Sequence, residues 1–363
     1  MQTKTVGASL VAKGDNIPIM LAGAPSFATT RRWRLIFFVV LAGSVGVLGR
    51  APNLPGPLAL MSDRLHMFST IFQGIFIEAV PFLLLGTLAS GIVEVFVNRE
   101  ELARYIPRDA VRGVMAGAVL GFCFPVCECG VVPLARRLFN KGMPLHVGIA
   151  FLLAAPALNP IVIVSTYTAF GFGHVLLARI GLTVLIAVIC WLVFSFGARP
   201  ERVLLPVAWP VLAGGSASDA LVKSAPMAQR LSQVVTIATG EFFEMGSYLL
   251  VGAALASGLQ ALVPQSLLLG LSTGPLLSVL ALLVLAVVLS ICSTVDAFIA
   301  LAFAGSFTTG SVVAFLVFGP MVDIKSIVMY SGVFKRRTVG YLVMLPLLLT
   351  ILAAVFINLN LNW

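Results

Sequence analysis

Between Gly121 and Pro133 the chain reads Gly-Phe-Cys-Phe-Pro-Val-Cys-Glu-Cys-Gly-Val-Val-Pro, three cysteines and a carboxylate inside an apolar run. Thiolates are soft ligands that favour soft metals and metalloids. Cys127 and Cys129 are therefore the candidate metal ligands. On a regular helix two such residues diverge by about 200°, so their thiols can share one cavity only where the helix is unwound. Pro125 and Gly130 supply that break, because proline lacks a donor and glycine accepts positive φ. A third sulfur can come from Cys123 or, from much later in the chain, Cys292. The plainer role of a buried cysteine is apolar filler, and Cys190 fits it best.

Polar groups deep in apolar runs are costly and mark functional positions by default. Here they are Glu78, Glu128, Asn159, Glu241, Glu244, Asp296, Asp323 and Lys325. Acids dominate the set, so a cavity lined by them favours cations or exchanges protons. Cys127, Cys129, Cys123, Cys292, Asn159 and Asp323 are the expected substrate-binding residues. Glu78, Glu244, Glu128 and Asp296 are expected to couple protons or a cation. For any one acid the plainer reading is a buried ion pair. Asp323 with Lys325 would be such a pair, although i,i+2 positions do not face each other on a helix. Pro133, Pro156 and Pro160 shape the backbone, Pro160 kinking the chain beside Asn159. His66, His146 and His174 fall at the ends of apolar runs and read as interfacial.

The elements that must position these residues are membrane spans. The chain has 363 residues, 60% apolar and only 10% charged, against about 25% charged in soluble domains. Apolar runs of about 20 residues, the length that crosses a bilayer as helix, recur from end to end. The net charge of +9 sits in short basic clusters between those runs. That pattern fixes membrane orientation and argues against a nucleic-acid partner. The expected fold is an all-α polytopic membrane protein in the inner (plasma) membrane, lipid-surrounded, with a cytoplasmic N-terminus and no cofactor. Residues 1–30 are expected to be a mobile cytoplasmic tail without a cleavable signal pattern, 31–66 a first anchor span and Pro-rich external loop, and 198–230 a cytoplasmic linker.

The stretches on either side of that linker, 67–197 and 231–363, read as two permease repeats. Glu78-Ala-Val-Pro-Phe-Leu-Leu-Leu-Gly86 matches Glu244-Met-Gly-Ser-Tyr-Leu-Leu-Val-Gly252 at an offset of 166, and Pro156-Ala-Leu-Asn159-Pro matches Pro320-Met-Val-Asp323-Ile at 164. A near-constant offset across separate segments indicates an internal repeat. Residues 113–135 are flanked by basic residues on both sides, Arg112 and Arg136-Arg137. If the segment enters the membrane and returns, both flanks stay inside. Each half then crosses three times, and the halves are inverted repeats, each with a re-entrant helical hairpin. Parallel four-span halves are the competing plan. Arg179, near the outer end of its span, fits the charge rule less well.

The run Cys127-Glu-Cys-Gly-Val-Val-Pro-Leu-Ala-Arg-Arg, then Lys-Gly-Met-Pro and Leu-Ala-Ala-Pro-Ala-Leu-Asn159-Pro160, resembles the YraQ-like predicted permeases, a family that includes the ArsP exporters of trivalent organoarsenicals. The resemblance covers roughly residues 67–358. It implies a permease of two related halves and, in ArsP members, cysteine-dependent handling of the arsenical. The matched positions are Cys127, Cys129, Pro133, Pro156, Asn159 and Pro160. Some relatives work beside a second subunit, and a homo-oligomer is equally open. The expected activity is that of a secondary transporter, not an enzyme, moving a soft, thiol-reactive solute such as a trivalent organoarsenical or a metal ion. No nucleotide-binding P-loop is present, so a gradient or a partner supplies the energy. The alternatives are a permease for a small sulfur compound and a membrane thiol oxidoreductase.

Overall fold

The computed structural model describes residues 43, 57–98, 127–197, 203–205, 226–262 and 274–360. The expected N-terminal tail, most of the first anchor segment, Cys123, Pro125 and most of the linker lie outside them.

Pro57 opens α1 (Pro57–Phe96), a position where its missing N–H costs nothing. The helix therefore starts inside the stretch read as an external loop. After it come α2 (Glu128–Asn140), α3 (Leu145–Leu158), α4 (Pro160–Phe170) and α5 (His174–Gly197). The remaining helices are α6 (Met227–Leu262), α7 (Pro275–Leu289), α8 (Asp296–Phe303), α9 (Thr309–Phe318), α10 (Ile324–Ser331) and α11 (Arg336–Asn360). No strand occurs among the described residues. A single antiparallel bridge, Leu204 to Phe334, ties the linker to the turn between α10 and α11.

Among the described residues, five segments are long and apolar enough to cross a membrane: Asp63–Phe96, Leu145–Phe170, His174–Ser195, Met227–Leu262 and Arg336–Asn360. Their outward residues remain apolar. Ile77, Leu185, Val235 and Phe356 are all at least half exposed, the surface that hydrocarbon solvates and water does not.

α1 and α6 form the scaffold, packed antiparallel along their length. Arg64 near the start of α1 hydrogen-bonds the Ala261 carbonyl near the end of α6, and Arg230 near the start of α6 reaches the Val95 carbonyl at 3.3 Å. The innermost helices are α3 and α9. Every residue of α3 but His146, and every residue of α9 but Thr309, is buried. Both are apolar on all sides, the composition of a helix enclosed by others.

The order of elements repeats. In chain order α1, α2, α3, α4 and α5 have counterparts in α6, α8, α9, α10 and α11, whose starts lie 162–170 residues later. α3 stops at Asn159 and α4 follows. α9 ends at Phe318, a short turn brings the chain to Asp323, and α10 follows. The counterpart of α7 would fall before Cys127, outside the described residues. Contacts correspond in part: α3 packs on α5 as α9 does on α11, and α2 packs on α10 as α8 does on α4.

Candidate functional site

Cys127 is the N-cap of α2, with extended backbone (φ −76°, ψ 179°), and Glu128 and Cys129 begin the helix. The break therefore precedes Glu128, and Gly130 is not part of it. Gly130 lies in the first turn of α2, where the Gly130 and Val131 amides both donate to the Cys127 carbonyl. Its role is close approach: a Cβ on Gly86 of α1 would run into the Gly130 backbone. Pro133 is buried within α2. α2 thus lies flat against α1 and holds Cys127, Glu128 and Cys129 at a fixed height.

Cys292 lies in the turn between α7 and α8. α7 ends at Ser290, the only non-glycine residue with positive φ among those described (φ 47°, ψ 43°). That left-handed turn costs about 1 kcal/mol or more and is held in place. The buried Ser290 hydroxyl donates to the Val287 carbonyl at 3.1 Å and accepts from the Ile324 amide at 3.2 Å. The same amide opens α10, whose N-cap is Asp323. Asp323 Oδ1 accepts from the Ser326 amide at 2.6 Å, and Ser326 Oγ accepts from the Asp323 amide at 2.8 Å, a capping box. Ser290 therefore locks the Cys292 turn to the start of α10. A left-handed serine has no sequence signature, so no pattern along the chain singles it out.

These two turns meet. Cys127, Glu128, Cys129, Cys292, Glu78 and Lys325 line one crevice, with Ile75 and Ala79 of α1 as its apolar wall. The Cys127 and Cys292 sulfurs and a Glu128 carboxylate oxygen all lie within 4.8 Å of one another. All four cysteines in the described residues are free thiols. Lys325 Nζ stands 3.4 Å from Glu128 Oε1 and 3.3 Å from Asp323 Oδ2. The Asp323–Lys325 contact forms despite i,i+2 spacing because Asp323 is an extended N-cap (φ −135°, ψ 178°), outside the helix. Gly252 of α6 admits this arrangement, since a Cβ there would fall 2.8 Å from the Lys325 Cα. The repeat-matched glycines Gly86 and Gly252 thus each seat a short helix that carries site residues.

The other expected residues lie elsewhere. Glu244 pairs with Arg136 of α2 at 2.8 Å. Glu241, not among the expected coupling residues, accepts from Ser90 Oγ at 2.5 Å and stands 3.3 Å from Arg137 Nε. Glu94 lies 3.8 Å from both Arg137 and Lys141. The basic cluster after the cysteine motif is therefore packed into an ionic layer between α2 and the scaffold helices. Asp296 opens α8 and holds the wholly buried Arg179 of α5 through contacts of 2.7 and 3.1 Å, while Arg179 also donates to Thr166 at 2.7 Å. An arginine in an apolar span needs an acid partner, and that need ties Asp296 to an ion pair rather than to the crevice. Asn159 caps α4 by accepting from the Ile161 amide at 2.9 Å, with Pro160 at the first helical position. It does not line the crevice. Pro156 is buried within α3.

The model of a predicted permease family matches residues 64–359. The chain is 42% identical over 276 residues to the UPF0718 protein YcgR of Bacillus subtilis, covering 76% of this chain and 91% of that one. It is 36% identical over 269 residues to a Streptococcus mutans protein named as a candidate subunit of a two-component membrane permease complex, covering 74% and 87%. A shorter match, 23% over 123 residues covering 34% and 36%, is to the UPF0718 protein YraQ of Escherichia coli. No solved structure matches the chain. The family model spans most of the chain and the first two relatives match it over most of their own length: the chain belongs to the predicted permease family that includes YcgR and YraQ.

Proposed function

We propose that this permease is a secondary transporter for a soft, thiol-reactive solute such as a trivalent organoarsenical or a thiophilic metal ion, bound by Cys127, Cys129 and Cys292. The observation that carries the reading is the meeting of Cys127 and Cys292. They stand 165 residues apart in corresponding segments of the two repeats, yet their sulfurs lie within 4.8 Å of each other and of the Glu128 carboxylate. Buried thiols without disulfides can bond a soft centre reversibly, as a carrier requires. Glu78, Glu128 and Asp323 supply negative charge beside them.

Two ionic layers bracket the crevice along the chain. Arg136 and Arg137 lie eight and nine residues beyond Glu128 on α2, about 12–14 Å away by helical rise. In the other cysteine segment, Asp296 follows Cys292 by one turn and is closed by Arg179. In the inverted-repeat reading these layers close the site toward the two faces of the membrane. The cytoplasmic N-terminus, the re-entrant hairpins and the inner-membrane location belong to the same proposal. So does a second subunit, which the name of the Streptococcus mutans relative supports.

The test is uptake of trivalent methylarsenite into everted membrane vesicles under an imposed proton gradient, comparing wild type with Cys127→Ser/Cys129→Ser. Accumulation in wild type alone is the expected result. Equal accumulation by the folded variant overturns the proposal.

A further inference from the structure

Lys325 is the cation of the cysteine crevice, and its position bears on the charge of the cargo. It is 2% exposed, on α10 of the second repeat. Its ammonium bridges two carboxylates, Glu128 from the first repeat at 3.4 Å and Asp323 from the second at 3.3 Å. Glu128 is itself 3% exposed, and Oε1 is the oxygen paired with the ammonium. Its second oxygen, Oε2, is buried with no hydrogen-bond partner among the described residues. A buried carboxylate oxygen left unpaired is costly. The Cys127 and Cys292 sulfurs lie beside this carboxylate. Cys127, Glu128 and Cys292 are thus a half-built ligand set, sulfur and carboxylate, whose remaining positive partner is a lysine side chain.

The chemistry of that set is specific. Thiolate and carboxylate ligands bind zinc-like divalent ions at about 2.0–2.3 Å. Donor atoms around a tetrahedral centre then stand ~3.7 Å apart, so the three atoms need close by only about an ångström. Among the described residues, three carboxylates (Glu78, Glu128 and Asp323) stand with a single ammonium in and beside the crevice. A divalent ion is therefore electrostatically favoured, whereas an anionic cargo is not.

Taking the cysteine crevice as the cargo site, we infer that the cargo is a thiophilic divalent cation and that Lys325 is its resident competitor for Glu128. In the cargo-free site the ammonium neutralises Glu128 and joins the two repeats. When a metal ion takes Glu128, Lys325 stays charged and keeps Asp323, its other partner. The competition weakens binding, so the ion can leave again, and it breaks the ionic tie between α2 and α10 whenever cargo is aboard. Affinity differences between related sites lie mostly in dissociation rate. A site without Lys325 should therefore hold its ion longer and deliver it more slowly.

The probe is Cd2+, titrated by calorimetry at fixed pH into the reduced full-length protein in detergent. Wild type is expected to bind one ion that Cys127→Ser loses, and Lys325→Arg to bind as wild type does. Lys325→Met leaves two buried acids unbalanced, so Lys325→Met/Asp323→Asn is measured beside it, because that pair removes one charge of each sign. Both are expected to bind Cd2+ at least ~10-fold tighter than wild type and, in proteoliposomes, to transport it more slowly. Cys127-dependent binding in wild type with unchanged or weaker affinity in the folded double variant overturns the role of Lys325 and leaves the cysteine site standing. Absence of Cys127-dependent Cd2+ binding in folded wild type overturns the divalent cargo itself. Methylarsenite uptake lost with Cys127 would then show that the crevice serves a different soft solute.

Discussion

Among single residues, the buried charges set the strongest constraints. Arg179 and Asp296 are joined by two contacts and both are buried. Removing one partner leaves the other charge desolvated and alone, at a cost of about 3–5 kcal/mol. Arg179→Met should therefore lower the thermal unfolding temperature of the detergent-solubilised protein sharply. Arg179→Met/Asp296→Leu, which removes both charges, should recover most of the loss; a double variant as unstable as the single one would contradict this. How far such contacts can be read from sequence depends on what fixes the distance. Cys127 and Cys292 are related by their offset, because a repeat makes positions equivalent through sequence alone. Glu128 with Lys325, and Arg136 with Glu244, are tertiary contacts between segments that no periodicity or spacing relates. Glu78 and Glu244 match in sequence but part company in space, one lining the crevice and the other paired with Arg136. Equivalent positions do not keep equivalent partners when the two halves pack differently.

At the level of elements, glycine sets the approach of helix to helix. Gly86 lets α2 touch α1, and Gly252 lets α10 touch α6. Gly74, on the same helix as Gly86, has open space where a Cβ would stand. Gly86→Val and Gly252→Val should each cost about 1–3 kcal/mol by overpacking and disturb the crevice. Gly74→Ala should be neutral or slightly stabilising, since alanine is the better helix former. Melting temperatures of the three variants give the comparison, and a Gly74→Ala loss matching that of Gly86→Val would refute the packing argument. The break at Asn159 is visible in the sequence because proline and capping residues mark helix ends locally. The placement of Gly130 inside α2 is not, since a glycine serves equally as a break or as a contact point, and only the neighbouring helix decides which.

Across the whole molecule, the two repeats share an order of elements but not a full set of contacts. α2 packs against α1, α3, α6 and α10, whereas its counterpart α8 packs chiefly against α4 and α9. In a carrier built from inverted halves, such asymmetry is what one access state looks like, and the opposite state exchanges the two packings. The orientation of the halves has a clean test. Gly142, in the turn after α2, and Ser306, in the matching turn after α8, are both exposed. An impermeant maleimide applied to intact cells should label Ser306→Cys and spare Gly142→Cys. Labelling of both or of neither would favour parallel halves. Membrane character is legible because composition alone fixes it. Orientation rests on basic residues, three of which (Arg136, Arg137 and Lys141) are drawn into ion pairs within the protein, so their position speaks for packing as well as topology.

The central claim is that both repeats supply sulfur to one cargo site, and Cys292 is the residue that isolates it. The decisive measurement is uptake of Cd2+ and of trivalent methylarsenite into proteoliposomes by wild type, Cys127→Ser and Cys292→Ser, each confirmed folded. Uptake of at least one solute by wild type, lost in both single variants, is the predicted result. Uptake at the wild-type rate by Cys292→Ser, or uptake of neither solute by wild type, would contradict it.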